Sequence, residues 1–514
     1  MSLSVFPSPT FLAAAALFFS AGPVSAVVAS QADQSLWDVA VDERISLKDA
    51  ATASTADSLW LAVESRVQRD RAAMEYFRPG YPFWQHIFRI PDGSVVFGSG
   101  VDGSLLAVLP RGGDWRNQGY WEEPTLVAAI RGRSLPGSLS RRREAVAEAL
   151  EPQVGKVLHN PTRGDFLLPN ARRYGSFVEE WGGIFERFGV PADIGLAQAI
   201  LESGFNGRVR SPAGAIGFCQ WLMRNWQAMK RHSPHEIEGF NQTTQVPHCA
   251  AYLTILTTKY GSFIPALSEH HAGGTNVGRT LINGERLGGR DIRESYFLGS
   301  QFAVDLRDIS MPRFRRVVRS YGPRSYRYAE MVFGNTYNVE HIRETVDQER
   351  IYAMRAERNI PLSEITRRTG LSRDEVQRFN PALVRQVPRG ANLYLPSYVE
   401  EFGPDVSFWH RSPPEDFTRL LNEFVRIEAS LQEWETPAFM GVLRDYQRGF
   451  RETNSEEGTV MATVLGYVIS ETESSGRAEI LREYRSSQQI QQLFRDGVRV
   501  RSAAQAAQET AGGD

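Results

Sequence analysis

Glu202-Ser203-Gly204-Phe205-Asn206 is followed, four residues on, by Ser211-Pro212-Ala213-Gly214-Ala215-Ile216-Gly217 and then by Gln220. A glutamate that ends an apolar helix and faces a glycine-rich loop is suited to general-acid chemistry. Desolvation disfavours its carboxylate, so the carboxyl can hold a proton near neutral pH and pass it to a leaving oxygen. Gly204, Gly207, Gly214 and Gly217 would let the backbone approach a ligand where side chains would block it. Ser211 and Gln220 supply the neutral hydrogen bonding that sugar hydroxyls and N-acetyl groups need. One Glu alone would read as an ordinary helix end beside a flexible loop; the spacing of the whole run is what singles out Glu202.

A second constellation lies at Leu267-Ser268-Glu269-His270-His271-Ala272-Gly273. Two adjacent histidines near a buried glutamate can hold it by hydrogen bonding, or can take a charge and depress its pKa. Neighbouring residues on a helix point about 100° apart, which argues against a shared metal ion. Glu269 has two readings. It is either a helix-surface residue or a partner for His270 or an arginine, or it turns inward as a second carboxylate. Water-using glycoside hydrolases pair two carboxylates, about 6.5–9.5 Å apart when inverting.

The run from Glu202 to Gln220 resembles the catalytic signature of the lytic transglycosylases related to goose-type lysozyme, with the Glu-Ser pair, the Ser-Pro-x-Gly-Ala-x-Gly loop and the following Gln in register. The likeness covers about residues 169–307 and implies a lysozyme-like, mainly α-helical catalytic domain. It implies that peptidoglycan glycan strands are the partner and that no cofactor is needed. By this resemblance Glu202 protonates the oxygen of the β-1,4 bond between N-acetylmuramic acid and N-acetylglucosamine. It then takes the proton of the muramic C6 hydroxyl, closing a 1,6-anhydro ring without water. Ser211 and Gln220 would contact the glycan. The family pattern continues with Ala-Tyr-Asn-Ala-Gly, whose Tyr hydrogen-bonds the Glu. Here His270 stands for that Tyr and His271 for the Asn, so both join the expected substrate-binding set, and Leu222 replaces a common Met. Two rivals stay open: a water-using muramidase assisted by Glu269, and a peptidoglycan-binding scaffold disabled by the His-His substitution.

The elements that must position these residues are mostly helical. Phe177–Phe188 is amphipathic, and Val190-Pro191-Ala192-Asp193 starts a helix from Ile194 to about Glu202 that is apolar on most sides, hence buried and central. A further helical stretch, Met311–Glu344, completes a lobe spanning 169–344. Upstream, residues 31–168 read as an α+β module. It is helical from Ser35 to Val67, with Asp57 or Ser58 capping Leu59–Val67. Strands are expected at Ile87–Ile90 and Ser94–Phe97 around Pro91-Asp92-Gly93, with a third at Leu105–Leu109.

Downstream, Leu362-Ser363-Glu364-Ile365, Thr369-Gly370-Leu371-Ser372, Phe379-Asn380-Pro381 and Gly390-Ala391-Asn392-Leu393-Tyr394-Leu395-Pro396 resemble a LysM domain over 351–399. That likeness implies a βααβ unit that grips N-acetylglucosamine polymers, degenerate here because Asn359-Ile360-Pro361 stands where Gly-Asp-Thr is usual. Residues 400–501 are helical by pattern, with Phe417, Leu420, Leu421 and Phe424 on one face, and are a candidate surface for protein partners. The tail 502–514 has too little apolar content to fold alone and is expected to be disordered.

A chain of 514 residues is too long for one core and suggests three or four domains, a multidomain architecture. Its net charge of −2 argues against a general attraction to nucleic acid or anionic lipid. Phe11–Phe19 is a short apolar core and Val24-Ser25-Ala26 a small-residue cleavage site, so residues 1–26 read as a signal peptide, although no Lys or Arg precedes the core. Export to a periplasm or beyond, with no membrane anchor after cleavage, is the expectation. The two cysteines, Cys219 and Cys249, are thirty residues apart. They form a disulfide in an oxidising compartment or remain two buried apolar thiols in a reducing one.

Overall fold

In the computed structural model the described residues are 55–230, 239–309, 312–318 and 325–511. The expected signal peptide 1–26 and the first part of the expected helix from Ser35 lie outside them. No helix among the described residues is long and apolar enough to cross a membrane.

Helix α1 (Thr55–Phe77) runs through the positions expected to cap it, so Asp57 and Ser58 lie inside its first turn. The segment expected as a first strand is instead the short helix α2 (Gln85–Arg89). A four-residue apolar run does not separate helix from strand by period, and tertiary partners decide it. Arg89 binds the Asn338 side chain at 2.7 Å and the Tyr337 carbonyl at 2.7 Å, while the Phe88 ring packs on Phe166. The other two strands form as expected, β1 (Ser94–Ser99) and β2 (Leu105–Pro110), joined by β3 (Tyr120–Trp121) and β4 (Val157–Pro161). The antiparallel order is β3-β2-β1-β4.

Alternation along β1 buries both faces of this sheet. Val95 and Phe97 meet Leu109, Trp115 and Leu150, the last from helix α3 (Leu139–Val154), whereas Val96 joins the main core. Helix α4 (Gly164–Tyr174) carries Pro169 in its interior, so the expected boundary between modules falls inside a helix.

The central lobe follows as α5 (Val178–Arg187), α6 (Ala192–Ser203), the two-residue strands β5 (Ala215–Ile216) and β6 (Trp221–Leu222), and α7 (Met223–Lys230). Next come α8 (Gln242–Tyr260), α9 (Phe263–Ala272), α10 (Gly274–Arg286), α11 (Ile292–Asp308) and α12 (Tyr328–Thr345). Within the stretch expected to be helical from Met311, a 3-10 turn at Pro312–Phe314, a short helix at Arg315–Val318 and a 3-10 turn at Ser325–Arg327 precede α12, and residues 319–324 lie outside the described ones.

Residues 351–396 make a strand-helix-helix-strand unit. Strand β7 (Ile351–Arg355) pairs antiparallel with β10 (Asn392–Pro396), and β8 (Ile360–Pro361) pairs with β9 (Gln386–Val387). Helices α13 (Leu362–Thr369) and α14 (Arg373–Phe379) lie between. Ile365, Val376, Leu393 and Leu395 form its own core, while Tyr394 and Phe379 face the main one.

The C-terminal helices are α15 (Glu415–Val425), α16 (Pro437–Glu452), α17 (Glu456–Ser475), α18 (Arg477–Ser486) and α19 (Gln488–Ala511). Phe417, Leu421 and Phe424 are buried in the main core, with Leu420 packed against it. Helix α15 packs on α1, and Arg66 of α1 donates to the Val425 carbonyl at 2.8 Å. The expected disordered tail is helical to Ala511. Ile490 and Phe494 anchor α19 on Phe302 and Leu306 of α11, and extending an alanine-rich helix costs far less than nucleating one. Residues 54–514 form one compact unit, so the expected modules are local cores with shared faces. The fold is mainly α, with small antiparallel sheets.

Candidate active site

Helix α6 is buried at every position from Ile194 to Ile200, as its all-round apolar pattern predicts. It ends at Gly204, whose φ of 55° closes the helix in the left-handed conformation. A Cβ there would also lie 2.4 Å from the Phe166 carbonyl oxygen, so glycine is required on both counts. Glu202 therefore occupies the last turn of a buried helix with its side chain 13% exposed. Burial pushes its carboxyl up to about 7. The negative end of the α6 dipole acts in the same direction.

Three groups from two other helices converge on Glu202 Oε1. The Tyr328 hydroxyl, from the first turn of α12, donates to it at 2.5 Å. His270 Nδ1 stands 3.6 Å away and His271 Nδ1 4.0 Å away, both from the end of α9. The His271 ring stacks on Tyr328 at 4.4 Å between centroids and 11° between planes, and its Nε2 meets the Ser325 hydroxyl at 3.1 Å. Burial pushes His270 down to about 3, with His271 adding to the effect, and pushes His271 down as well. Both imidazoles are neutral at neutral pH. Neutral, they do not depress the glutamate by charge, and at 3.6 Å and 4.0 Å neither Nδ1 is within hydrogen-bond distance of Glu202 Oε1.

Helix α9 is held at both ends by buried charge. At its start, Asp70 of α1 accepts from the Ser262 hydroxyl (2.7 Å), the Phe263 N–H (2.6 Å) and Arg293 Nε (2.6 Å). At its far end Glu269 bonds Lys259 at 2.8 Å, Arg477 at 2.9 Å and the Tyr260 hydroxyl. Burial alone would raise Glu269, but Lys259 and Arg477 outweigh it and hold the carboxyl down at about 2. Glu269 is thus a buried partner of cations, and a role as a second acid/base beside Glu202 is not available to it. Arg477 also pairs with Glu435, so residues of the C-terminal region fix the helix that carries the histidines.

The loop after Glu202 is built by its own side chains. Ser211 Oγ accepts from the Ala215 N–H at 3.0 Å, while Gln220 Nε2 donates to the Gly217 carbonyl at 2.9 Å and the Val209 carbonyl at 3.2 Å. Both expected glycan contacts therefore shape the loop first. Strands β5 and β6 close it, bringing Trp221 against His270 with an indole N–H donating to Nε2 at 3.1 Å. Gln220 is left-handed at φ 50°, and Phe205 at φ 66°; such conformations in non-glycine residues are costly and are held by their surroundings. A Cβ at Gly204, Gly207 or Gly217 would strike Phe166, Phe240 or Gln245, whereas one at Gly214 would meet nothing within 4 Å. Three of the four glycines thus serve packing within the protein, and only Gly214 borders open space. Cys219 and Cys249 form a disulfide that ties this loop to α8.

The expected residues Glu202, His270 and His271 meet in one place, with Gln220 one residue from Trp221. His270 is only 7% exposed and touches protein, while His271 at 35% can face a ligand. Sequence reasoning missed Tyr328, which lies 126 residues beyond its partner with no motif around it. It also missed Trp221, although that residue directly follows Gln220. Among the described residues no three His, Cys, Asp or Glu side chains are grouped to hold a metal ion. No protein-family profile and no curated protein matches the chain.

Proposed function

We propose that this protein is a peptidoglycan lytic transglycosylase in which Glu202 acts first as acid and then as base. The observation that carries the reading is a single buried carboxyl, raised to about 7, beside a loop with the family's spacing. A carboxyl near pH 7 is protonated often enough to donate and weak enough as an acid to take the proton back. Glu202 O–H protonates the glycosidic oxygen as the C1–O bond breaks, and N-acetylglucosamine departs with a free hydroxyl. The carboxylate then removes the proton from the muramic C6 hydroxyl as O6 bonds to C1. Glu202 is reprotonated, and no water is consumed. The Tyr328 hydroxyl, in the role that the family gives to the tyrosine of its Ala-Tyr-Asn motif, stabilises the carboxylate between the two steps. Commitment of Glu269 to Lys259 and Arg477 argues against the water-using alternative.

The disulfide supports an exported location, because such bonds persist in oxidising compartments. The strand-helix-helix-strand order of residues 351–396 supports the LysM-like reading and a second contact with glycan strands.

The test is mass spectrometry of fragments released from purified peptidoglycan, with Glu202→Gln as control. Fragments one water lighter than hydrolysed muropeptides, absent with the variant, are the expected result. Reducing-end fragments would make the protein a hydrolase, and binding without fragments a glycan-binding scaffold.

A further inference from the structure

The contact between Trp221 and His270 determines where the imidazole proton sits. An indole nitrogen is a donor only, so the Nε2 that it meets at 3.1 Å is the bare, accepting nitrogen of a neutral ring. The one ring proton is then on Nδ1, the atom 3.6 Å from Glu202 Oε1. That Nδ1 is buried and has no hydrogen-bond partner among the described residues. We infer that Trp221 holds His270 in its neutral Nδ1–H tautomer and so leaves the acid proton of Glu202 free for a glycosidic oxygen instead of engaging it in a hydrogen bond to the imidazole. The inference rests on the reading of Glu202 as the acid.

The opposite tautomer would present a bare Nδ1 to the glutamate O–H. That nitrogen would accept a hydrogen bond from the carboxyl O–H, so the acid proton would be aimed at the imidazole and away from a glycosidic oxygen. With N–H on that side the ring offers no lone pair there. It can donate to the carboxylate only after the proton has left, joining the Tyr328 hydroxyl. The same contact is therefore indifferent to the acid and favourable to the base, the difference that a group serving in both roles requires. A separation of 3.6 Å is too long for a hydrogen bond in the resting acid, and shortening on ionisation follows.

The surroundings keep the arrangement dry and uncharged. His271 on α9 and Tyr328 on α12 face Glu202, as already described. The Tyr252 ring of α8 lies 5.9 Å from His270 and 5.0 Å from Trp221. Tyr467 of α17 stacks near Trp221 at 6.1 Å, and Trp226 of α7 lies 4.9 Å from it. The charges of Glu269, Lys259, Arg477 and Glu435 are paired among themselves. Trp221 is a positioning residue, acting through His270. His271 has no such constraint, since a serine hydroxyl can donate or accept.

The experiment is long-range 15N–1H NMR on the full chain labelled at histidine, with His270→Asn identifying the resonance. The expected spectrum shows a bare Nε2 and a protonated Nδ1 for His270, persisting below the pH at which an ordinary histidine titrates, about 6.5. A protonated Nε2, or an imidazolium at neutral pH, would overturn the inference, and neither result depends on activity. The second measurement is the pH profile of glycan cleavage. Trp221→Phe should lower kcat by about ten- to a hundredfold, within the range of a general acid, with KM little changed. The same substitution in a His270→Asn background, where no imidazole can engage the proton, should cost much less. Equal losses in both backgrounds would mean that the indole only supports the fold. Loss of the wild-type activity itself, or full activity in Glu202→Gln, would defeat the functional reading and leave the NMR result standing.

Discussion

The Tyr328 hydroxyl donates to Glu202 Oε1 from 126 residues further along the chain, and it favours the charged form of that carboxyl. Tyr328→Phe should therefore raise the Glu202 pKa above about 7. A hydrogen bond to a charged group is worth about 1.5–3 kcal/mol, which corresponds to a shift of roughly one to two units. The basic limb of kcat/KM should move up by that amount while the plateau falls, because the base step loses its donor. A profile unchanged in position would show that the hydroxyl does not act on Glu202.

The raised carboxyl makes folding stability and activity fall together as pH rises. Folding penalises the ionised form, so the contribution of Glu202 to stability is complete below about 4.5 and is lost as pH rises through about 7. Glu202→Gln should stabilise the protein above about pH 7 by as much as about 3 kcal/mol and change little below pH 4.5. Denaturant unfolding across pH would read this directly. In the wild type, kcat/KM should decline over the same upper range as the acid form disappears.

Arg477 neutralises two buried carboxylates at the end of the histidine-bearing helix. Removing one partner of such a cluster leaves charge uncompensated, at a cost of about 3–5 kcal/mol. Arg477→Ala should lower the denaturant midpoint accordingly and reduce kcat, although the residue touches no substrate. An unchanged midpoint would mean that α18 contributes nothing to holding α9.

The disulfide closes a thirty-residue loop between two buried cysteines. Its chain-entropy contribution is about 3–4 kcal/mol. Replacing both cysteines by alanine should lower stability by that order. It should also slow cleavage, since the strand turn beside Cys219 carries Gln220 and Trp221.

Much of the fold was legible because burial leaves a pattern. The all-round apolar run before Glu202 specified a buried helix, and the apolar run Val95–Phe97 after Pro91-Asp92-Gly93 a strand. Where the pattern was short, tertiary contacts decided. Ile87–Arg89 became helical because Arg89 and Phe88 found partners on α12 and α4. The tail continued as helix because α19 was already anchored upstream.

For the site, the sequence by itself singled out Glu202 and the loop that stands beside it, because those residues are close in the chain and their spacing forms a recognisable arrangement. Only the tertiary structure decided what surrounds the acid. Tyr328 reaches Glu202, Arg477 removes Glu269 from the chemistry, and Trp221 orients His270 through contacts between distant or separately folded segments. Spacing along a chain carries no record of such meetings, which depend on how helices pack and which charges can be paired once water is excluded.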